Sequence, residues 1–164
     1  MEPTHTISVR LDLDAHAAVF SKAMGQLDKA SVKQLDLVEF DPRLRELVRI
    51  RASQLNGCAY CVDVHTKDAR AIGESEQRIY ALPVWRETDY FTDKERAALS
   101  FTETVTLVSQ SHVPAQAYEE VAAHLGPDEI GSLLALIVTI NAWNALAVAS
   151  RAWQPVDDRR AQAS

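Results

Sequence analysis

Residues 41–73, DPRLRELVRIRASQLNGCAYCVDVHTKDARAIG, decide the fold of this 164-residue chain. Asp41 and Pro42 predict a helix start, because an Asp caps free backbone N–H groups and a Pro needs no donor at the first helical position. Gly57 predicts the end of that helix, since glycine readily adopts the left-handed conformation of a helix C-terminus. A second helix then begins near Cys58. The stretch therefore predicts two consecutive helices with the two cysteines of the chain just after the break between them.

Cys58, Cys61 and His65 are spaced so that they share one face of the second helix. At about 100° per residue, Cys61 lies about 60° and His65 about 20° from Cys58 around the helix axis. The unpaired N–H groups at the start of a helix also favour a thiolate over a thiol. The spacing predicts one site made of two reactive sulfurs and an imidazole.

The rest of the chain predicts further helices and no strands, and hence an all-α helical bundle. A single domain is expected over residues 1–154, with its core motif at 41–73 and a polar C-terminal tail at 155–164. The irregular, aromatic stretch 82–91 is expected to be a lid or packing loop near the cysteines. The predicted helices cover residues 12–28, 42–56, 58–72, 75–80, 92–109, 114–126 and 127–149.

Composition and charge narrow the classes of function. Apolar residues make up 47% and charged residues 24% of the chain, which argues against disorder. The net charge of −6 and the scattered cations offer no basic surface for nucleic acid. The first residues lack a cationic segment followed by an apolar run, so we expect a cytoplasmic protein. In that reducing compartment a CxxC pair is typically catalytic, redox-active or metal-binding.

The last predicted helix is apolar over residues 130–149, a length that could also span a membrane. Asn141 and Asn144 would be costly in lipid, whereas a helix that is apolar on most faces also suits the core of an oligomer. We therefore expect no membrane span and a homo-oligomer.

The CxxC pair supplies what a thiol peroxidase or a disulfide reductase needs, namely one sulfur to attack and a second to close a disulfide. His65, one turn after Cys61, is placed to act as the base. Oxidation of Cys61 by a hydroperoxide would give a sulfenic acid, and Cys58 would condense with it. A thiol or protein reductant would then restore the pair.

Residues 44–70 strongly resemble the core of the alkylhydroperoxidase AhpD-like proteins, within the carboxymuconolactone decarboxylase superfamily. The resemblance spans 41–73 and implies an all-helical fold that assembles as trimers or hexamers. It also implies a proton relay in which Glu46 and His65 help ionise the thiols, Cys61 attacks the peroxide and Cys58 resolves.

The chain departs from the AhpD-like pattern at one position of the motif. Well-studied members carry a His directly before the second cysteine, where this chain has Tyr60. The decarboxylase branch of the superfamily lacks the cysteine pair, so the resemblance does not extend lactone chemistry to this chain.

Two other classes of function stay open at this point. Cys58, Cys61 and His65 could be three zinc ligands, although only Asp63 or Asp68 is nearby as a fourth. Alternatively, the dithiol could serve a redox sensor or disulfide oxidoreductase that turns over little peroxide. No bound cofactor is expected, because the sequence has no Gly-rich phosphate loop or haem attachment motif.

Overall fold

The computed structural model describes residues 7–157, which are helical and contain no β-strand. The all-α prediction is confirmed. A 3₁₀ helix, Leu82–Glu87, connects the fifth helix to the sixth. In chain order the α-helices are α1 (Leu13–His16), α2 (Ala18–Leu37), α3 (Pro42–Asn56), α4 (Ala59–Ala71), α5 (Glu76–Ala81), α6 (Asp93–Thr106), α7 (Val108–Ser111), α8 (Ala115–Ala122) and α9 (Pro127–Ser150).

The two helices of the cysteine motif form where the sequence predicts them. Asp41 caps α3, its Oδ1 accepting hydrogen bonds from the backbone N–H groups of Arg43 at 2.7 Å and Leu44 at 3.3 Å. Gly57 ends α3 in the left-handed conformation, with φ of 67°. The backbone N–H of Cys58 then donates to Ser53 O at 3.0 Å, so the chain turns tightly into α4.

The core lies around α9, which packs against α2, α3 and α6. One apolar cluster joins these helices to α8, and a second joins α3 and α6 to the Leu82–Glu87 segment. A third, smaller cluster contains both cysteines and the side of α9 that includes Ile140 and Ala147. The CxxC motif is therefore part of the packed interior.

The first predicted helix, 12–28, differs from the structure. The backbone leaves helical geometry at Ala17, with φ of −141° and ψ of 44°, and α2 then continues to Leu37. Met24 of α2 is buried, but Phe20 is 53% and Leu27 is 45% exposed.

Two other boundaries differ by a few residues. The predicted helix 92–109 starts at the expected capping box of Thr92 and Glu95 but ends at Thr106, and one separate turn, α7, follows. The helix predicted over 114–126 is shorter and covers Ala115–Ala122. Of the predicted tail, residues 158–164 lie outside the described part of the chain.

α9 is long and apolar enough by length and composition to cross a membrane, with a mean hydropathy of 1.8 over its most apolar stretch. It nevertheless carries the fully buried side chain of Asn144, which is hydrogen-bonded to Ser53 and Asn56 of α3. These contacts favour the expected role of a core helix.

Candidate active site

The two cysteines stand at the start of α4. Cys58 is the N-cap residue, with φ of −86° and ψ of 94°, and its Sγ accepts a hydrogen bond from the Cys61 backbone N–H at 3.3 Å. The two sulfurs form a disulfide, and the Cα atoms are 5.4 Å apart. Both side chains are nearly buried, Cys58 at 2% and Cys61 at 5% exposure. The oxidised pair is thus held at a helix N-terminus, where backbone N–H groups favour a thiolate once the disulfide is reduced.

Glu46 and His65 meet across the contact between α3 and α4. His65 Nδ1 lies 2.8 Å from Glu46 Oε2, and Glu46 Oε1 accepts a hydrogen bond from the Arg49 guanidinium. Glu46 is buried, with 7% of its surface exposed. Because one carboxylate oxygen serves each partner, Arg49 fixes the orientation of Glu46, and Glu46 fixes that of the imidazole.

The surroundings of Glu46 keep it ionised. Burial raises its pKa, but the hydrogen bond with His65 and the charge of Arg49 outweigh burial, and the pKa of Glu46 lies below its ordinary value. An ionised carboxylate has no proton to donate and can only accept a hydrogen bond. The neutral imidazole of His65 therefore carries its proton on Nδ1, the nitrogen that faces Glu46. Nε2 is then the unprotonated nitrogen and is available as a base.

A cavity of about 410 Å³ brings Cys61 and His65 to one space. The aromatic rings of Tyr60, Trp143 and Trp153 form one of its walls, with Trp143 and Trp153 edge to face at 5.8 Å between centroids. The remaining lining residues are Asp14, Ser21, Asp28 and Val64. The cavity gives a small molecule a route to the sulfur of Cys61, next to the His65 side chain.

A polar network fixes the end of α3, and thereby the cysteines, to α9. Asn56 Nδ2 donates to the side-chain oxygens of Asn141 at 2.8 Å and Asn144 at 3.0 Å. Asn144 Nδ2 in turn donates to Ser53 Oγ at 2.9 Å, and Asn144 is fully buried. Ser53 is also the residue whose carbonyl receives the Cys58 N–H. The network therefore holds the turn that presents the CxxC motif.

The structure brings the sequence-predicted residues together as two linked pairs. Cys58 forms a disulfide with Cys61, and His65 is hydrogen-bonded to Glu46. Cys61 and His65 both line the cavity of about 410 Å³. Cys58 lines a different, smaller cavity on the other side of the motif. Cys61 and His65 therefore line one cavity, whereas Cys58, the N-cap residue of α4, lines the other.

Several residues of the site lie far from the motif in sequence. Asp14, Asp28, Trp143 and Trp153 reach the cavity from α1, α2, α9 and the segment after α9. The sequence contains no comparable signal for these cavity residues. It does contain one for the contact of Asn141 and Asn144 with α3, since two Asn side chains on an apolar helix require hydrogen-bond partners when they are buried. The stretch 82–91, expected to be a lid or packing loop, has no residue among those lining the cavity. Its Trp85 packs in the core with Leu47 and other residues.

The described residues also contain one group of side chains with the spacing of metal ligands. Glu46, His65 and Asp68 place ligand atoms within 4.8 Å of one another. The cysteines are not part of it, and the Arg49 guanidinium already neutralises Glu46. This donor set differs from the Cys58, Cys61 and His65 set that the zinc alternative requires.

Comparison with known proteins identifies the family. The model of the carboxymuconolactone decarboxylase family matches residues 19–104. The uncharacterized protein YdfG of Bacillus subtilis (strain 168) is 46% identical over 105 residues, which cover 64% of this chain and 71% of YdfG.

Solved structures extend the likeness to almost the whole chain. A protein of unknown function from Agrobacterium tumefaciens, provisionally assigned as the antioxidant defence protein AhpD, is 35% identical with a TM-score of 0.84, over 92% of this chain and 100% of that one. The debrominase Bmp8 shares the fold at 18% identity, with a TM-score of 0.72 over 98% of this chain and 97% of its own. The chain therefore belongs to the carboxymuconolactone decarboxylase family and has the AhpD-like helical fold.

Proposed function

We propose that this protein is a thiol-dependent peroxidase that reduces hydroperoxides through a dithiol and disulfide cycle of Cys58 and Cys61. The observation that carries the proposal is the shared cavity of Cys61 and His65, with the His65 imidazole oriented by the buried carboxylate of Glu46. A reactive sulfur, a base and an access route for a small oxidant are the parts that such a reaction requires.

The first half of the cycle oxidises Cys61. His65 Nε2 accepts the proton of the Cys61 thiol, and Glu46 stabilises the resulting imidazolium through Nδ1. The thiolate attacks the terminal oxygen of the hydroperoxide, the O–O bond breaks, and the alcohol leaves with the proton returned by His65. Cys61 is then a sulfenic acid.

The second half forms the disulfide and then reduces it. The Cys58 sulfur attacks the Cys61 sulfur, the S–O bond breaks, and water leaves. The structure has the pair in this disulfide state. Two equivalents of a thiol, or one dithiol or protein reductant, return both cysteines to the reduced form.

Variants of the two cysteines test the order of these steps. Cys61→Ser is expected to abolish consumption of cumene hydroperoxide with dithiothreitol as reductant. Cys58→Ser is expected to retain one turnover, leaving a Cys61 sulfenic acid that a dimedone adduct reveals by mass spectrometry. Steady-state activity in Cys61→Ser protein would overturn the mechanism.

The two histidine positions provide a matched comparison. His65→Gln is expected to lower the rate of thiol oxidation by about 100-fold, since positioned bases contribute roughly 10²–10⁴. His124→Gln changes an exposed histidine that lines a separate cavity, so its rate is expected to equal the wild-type rate. Equal rates in both variants would remove His65 from the mechanism.

The same measurements separate the alternatives. A redox sensor would form the disulfide with one equivalent of hydroperoxide but show little steady-state turnover. A zinc protein would contain stoichiometric zinc when it is purified without chelator, and its thiols would resist oxidation until the metal was removed. The cytoplasmic location stays a prediction.

The oligomer is part of the proposal, with a second copy of this chain as the partner. Large apolar side chains are exposed on α2 and α9, including Val19 at 87%, Leu37 at 69% and Val138 at 51%. An apolar groove of about 400 Å³ runs between the two helices, with Leu27 and Leu134 in its lining. Burial of such surface drives association. A mass of 18.2 kDa by light scattering, that of one chain, would refute it.

A further inference from the structure

We infer that the reductant reaches the disulfide from the Cys58 side, and that this side selects a thiol carrying negative charge. The inference deepens the proposed function and rests on it, because it assigns the reductant of the same cycle. It follows from the two cavities that meet the CxxC motif and from the charges that line each of them.

The two cavities give each sulfur its own access. The cavity of about 410 Å³ is lined by Cys61, and the other, of about 240 Å³, by Cys58. Tyr60 and Trp153 line both, with their ring centroids 6.1 Å apart. These two rings therefore form the partition between the cavities, so a molecule in one of them approaches one sulfur and not the other.

The charges differ between the two sides. Among the described residues, those lining the Cys61 cavity include the carboxylates of Asp14 and Asp28 and no Lys or Arg. Those lining the Cys58 cavity include Arg10 and Arg151 and no carboxylate. An anionic ligand is therefore repelled on the Cys61 side and attracted on the Cys58 side.

The backbone holds both arginines at the Cys58 cavity. The N–H groups of Arg10 and Leu11 donate to Ser150 O at 2.8 and 3.1 Å, which joins the N-terminal segment to the end of α9. Arg151 ends α9 in the left-handed conformation, with φ of 52°, at the start of the segment that carries Trp153. Two segments from opposite ends of the described chain thus contribute their cations to the cavity that Cys58 lines.

Attack at Cys58 also gives the favourable leaving group. A thiolate of the reductant bonds to Cys58 Sγ, the S–S bond breaks, and its electron pair stays on Cys61 as a thiolate beside His65. A thiolate stabilised in this way leaves faster. A second thiolate then attacks the reductant sulfur of the mixed disulfide. The oxidised reductant, RSSR, departs and Cys58 is left as a thiolate, so the protein gains two electrons in all.

Reduction of the oxidised protein by three small thiols of similar size tests the charge preference without any peroxide. The thiols are 3-mercaptopropionate, 2-mercaptoethanol and cysteamine, and each rate is corrected for thiolate fraction and for its rate with a small unconstrained disulfide. We expect 3-mercaptopropionate to exceed cysteamine by about fivefold at low salt, since exposed charges have modest effects, and the preference to disappear in 1 M salt.

Charge variants locate the source of the preference. The double variant Arg10→Gln, Arg151→Gln is expected to remove it, and Arg151→Lys is expected to retain it. Arg43→Gln is the matched control, because Arg43 lies at the opposite end of the 15-residue helix α3, about 20 Å away. Equal corrected rates for the three thiols would overturn the inference, as would a preference that survives in the double variant.

Mass spectrometry of the quenched reaction identifies the attacked sulfur. The thiol adduct is expected on Cys58, and an adduct on Cys61 would overturn the inference. The outcomes are distinct from those of the proposed function. Charge selectivity without peroxide turnover would support this inference and refute the proposed peroxidase. Peroxide turnover without charge selectivity would support the peroxidase and refute this inference.

Discussion

Glu46→Gln removes one charge from the site and nearly preserves its shape. The amide oxygen of Gln can still accept the hydrogen bond from His65 Nδ1–H, but it offers the Arg49 guanidinium no negative charge. The side chains of Arg49 and Glu46 are only 13% and 9% exposed, so solvent cannot replace the lost partner fully. The variant thus isolates the electrostatic role of the carboxylate.

The expected loss of stability follows from this burial. Removing one partner of a buried ion pair costs about 3–5 kcal/mol, and the residual exposure and the retained hydrogen bond reduce the cost here to about 2–3 kcal/mol. The control is Glu87→Gln, which changes an exposed glutamate and is expected to stay within about 0.5 kcal/mol of wild type. Urea denaturation of the oxidised proteins, followed by circular dichroism, measures both.

The pH dependence gives a sharper test of the same reasoning. The folded-state pKa of Glu46 is lowered from 4.5, so its contribution to stability is complete above that pH and is lost as the pH falls through the folded pKa. Below it the protonated wild type resembles Glu46→Gln. The difference in unfolding free energy between the two proteins is therefore expected to be largest near pH 7 and to shrink under acid conditions. A difference that stays constant from pH 7 to pH 3 would refute the assignment of Glu46 as a buried, ionised partner.

The remaining predictions concern packing around the site. Asn144→Ala is expected to lose about 2–3 kcal/mol of unfolding free energy by urea denaturation, because it removes the hydrogen bonds of a fully buried side chain with Ser53 and Asn56 and leaves a cavity in its place. Ala145→Ser changes the exposed neighbouring residue and is expected to cost less than about 0.5 kcal/mol. Tyr60→Phe is expected to keep the peroxide reduction rate within about twofold, because within the described residues the Tyr60 hydroxyl makes no hydrogen bond and its ring packs against Trp153. A large loss of rate in Tyr60→Phe protein, with the fold intact, would assign the hydroxyl a role in the reaction.

Helix boundaries around the motif are predictable because their signals are local. Asp41, Pro42 and Gly57 each act on backbone groups within a few residues, and the structure starts and ends α3 where they indicate. The capping box of Thr92 and Glu95 starts α6 for the same reason. The break at Ala17 has no comparable signal, since alanine is a strong helix former.

In the sequence, only the family resemblance links Glu46 with His65. Nineteen positions separate the two residues, and their meeting depends on how α3 packs on α4. Glu46 and Arg49 are spaced as an ordinary helical ion pair, and the structure has that pair as well. Helical spacing alone predicts the ion pair of Glu46 with Arg49 but not the hydrogen bond of Glu46 with His65.

The residues of the proposed reaction lie inside one segment of the chain, whereas part of the cavity wall comes from outside that segment. Glu46, both cysteines and His65 all lie inside the segment 19–104 that matches the family model. Asp14, Trp143 and Trp153, which border the cavity at Cys61, lie outside it. Relatives that share the matched segment can therefore retain these four residues while differing in that part of the cavity wall. The same fold occurs in a protein provisionally assigned as AhpD and in a debrominase, so the fold by itself does not determine the function of this chain. Under the proposed function, Asp14, Trp143 and Trp153 are therefore the positions at which the preference among hydroperoxides is expected to be altered.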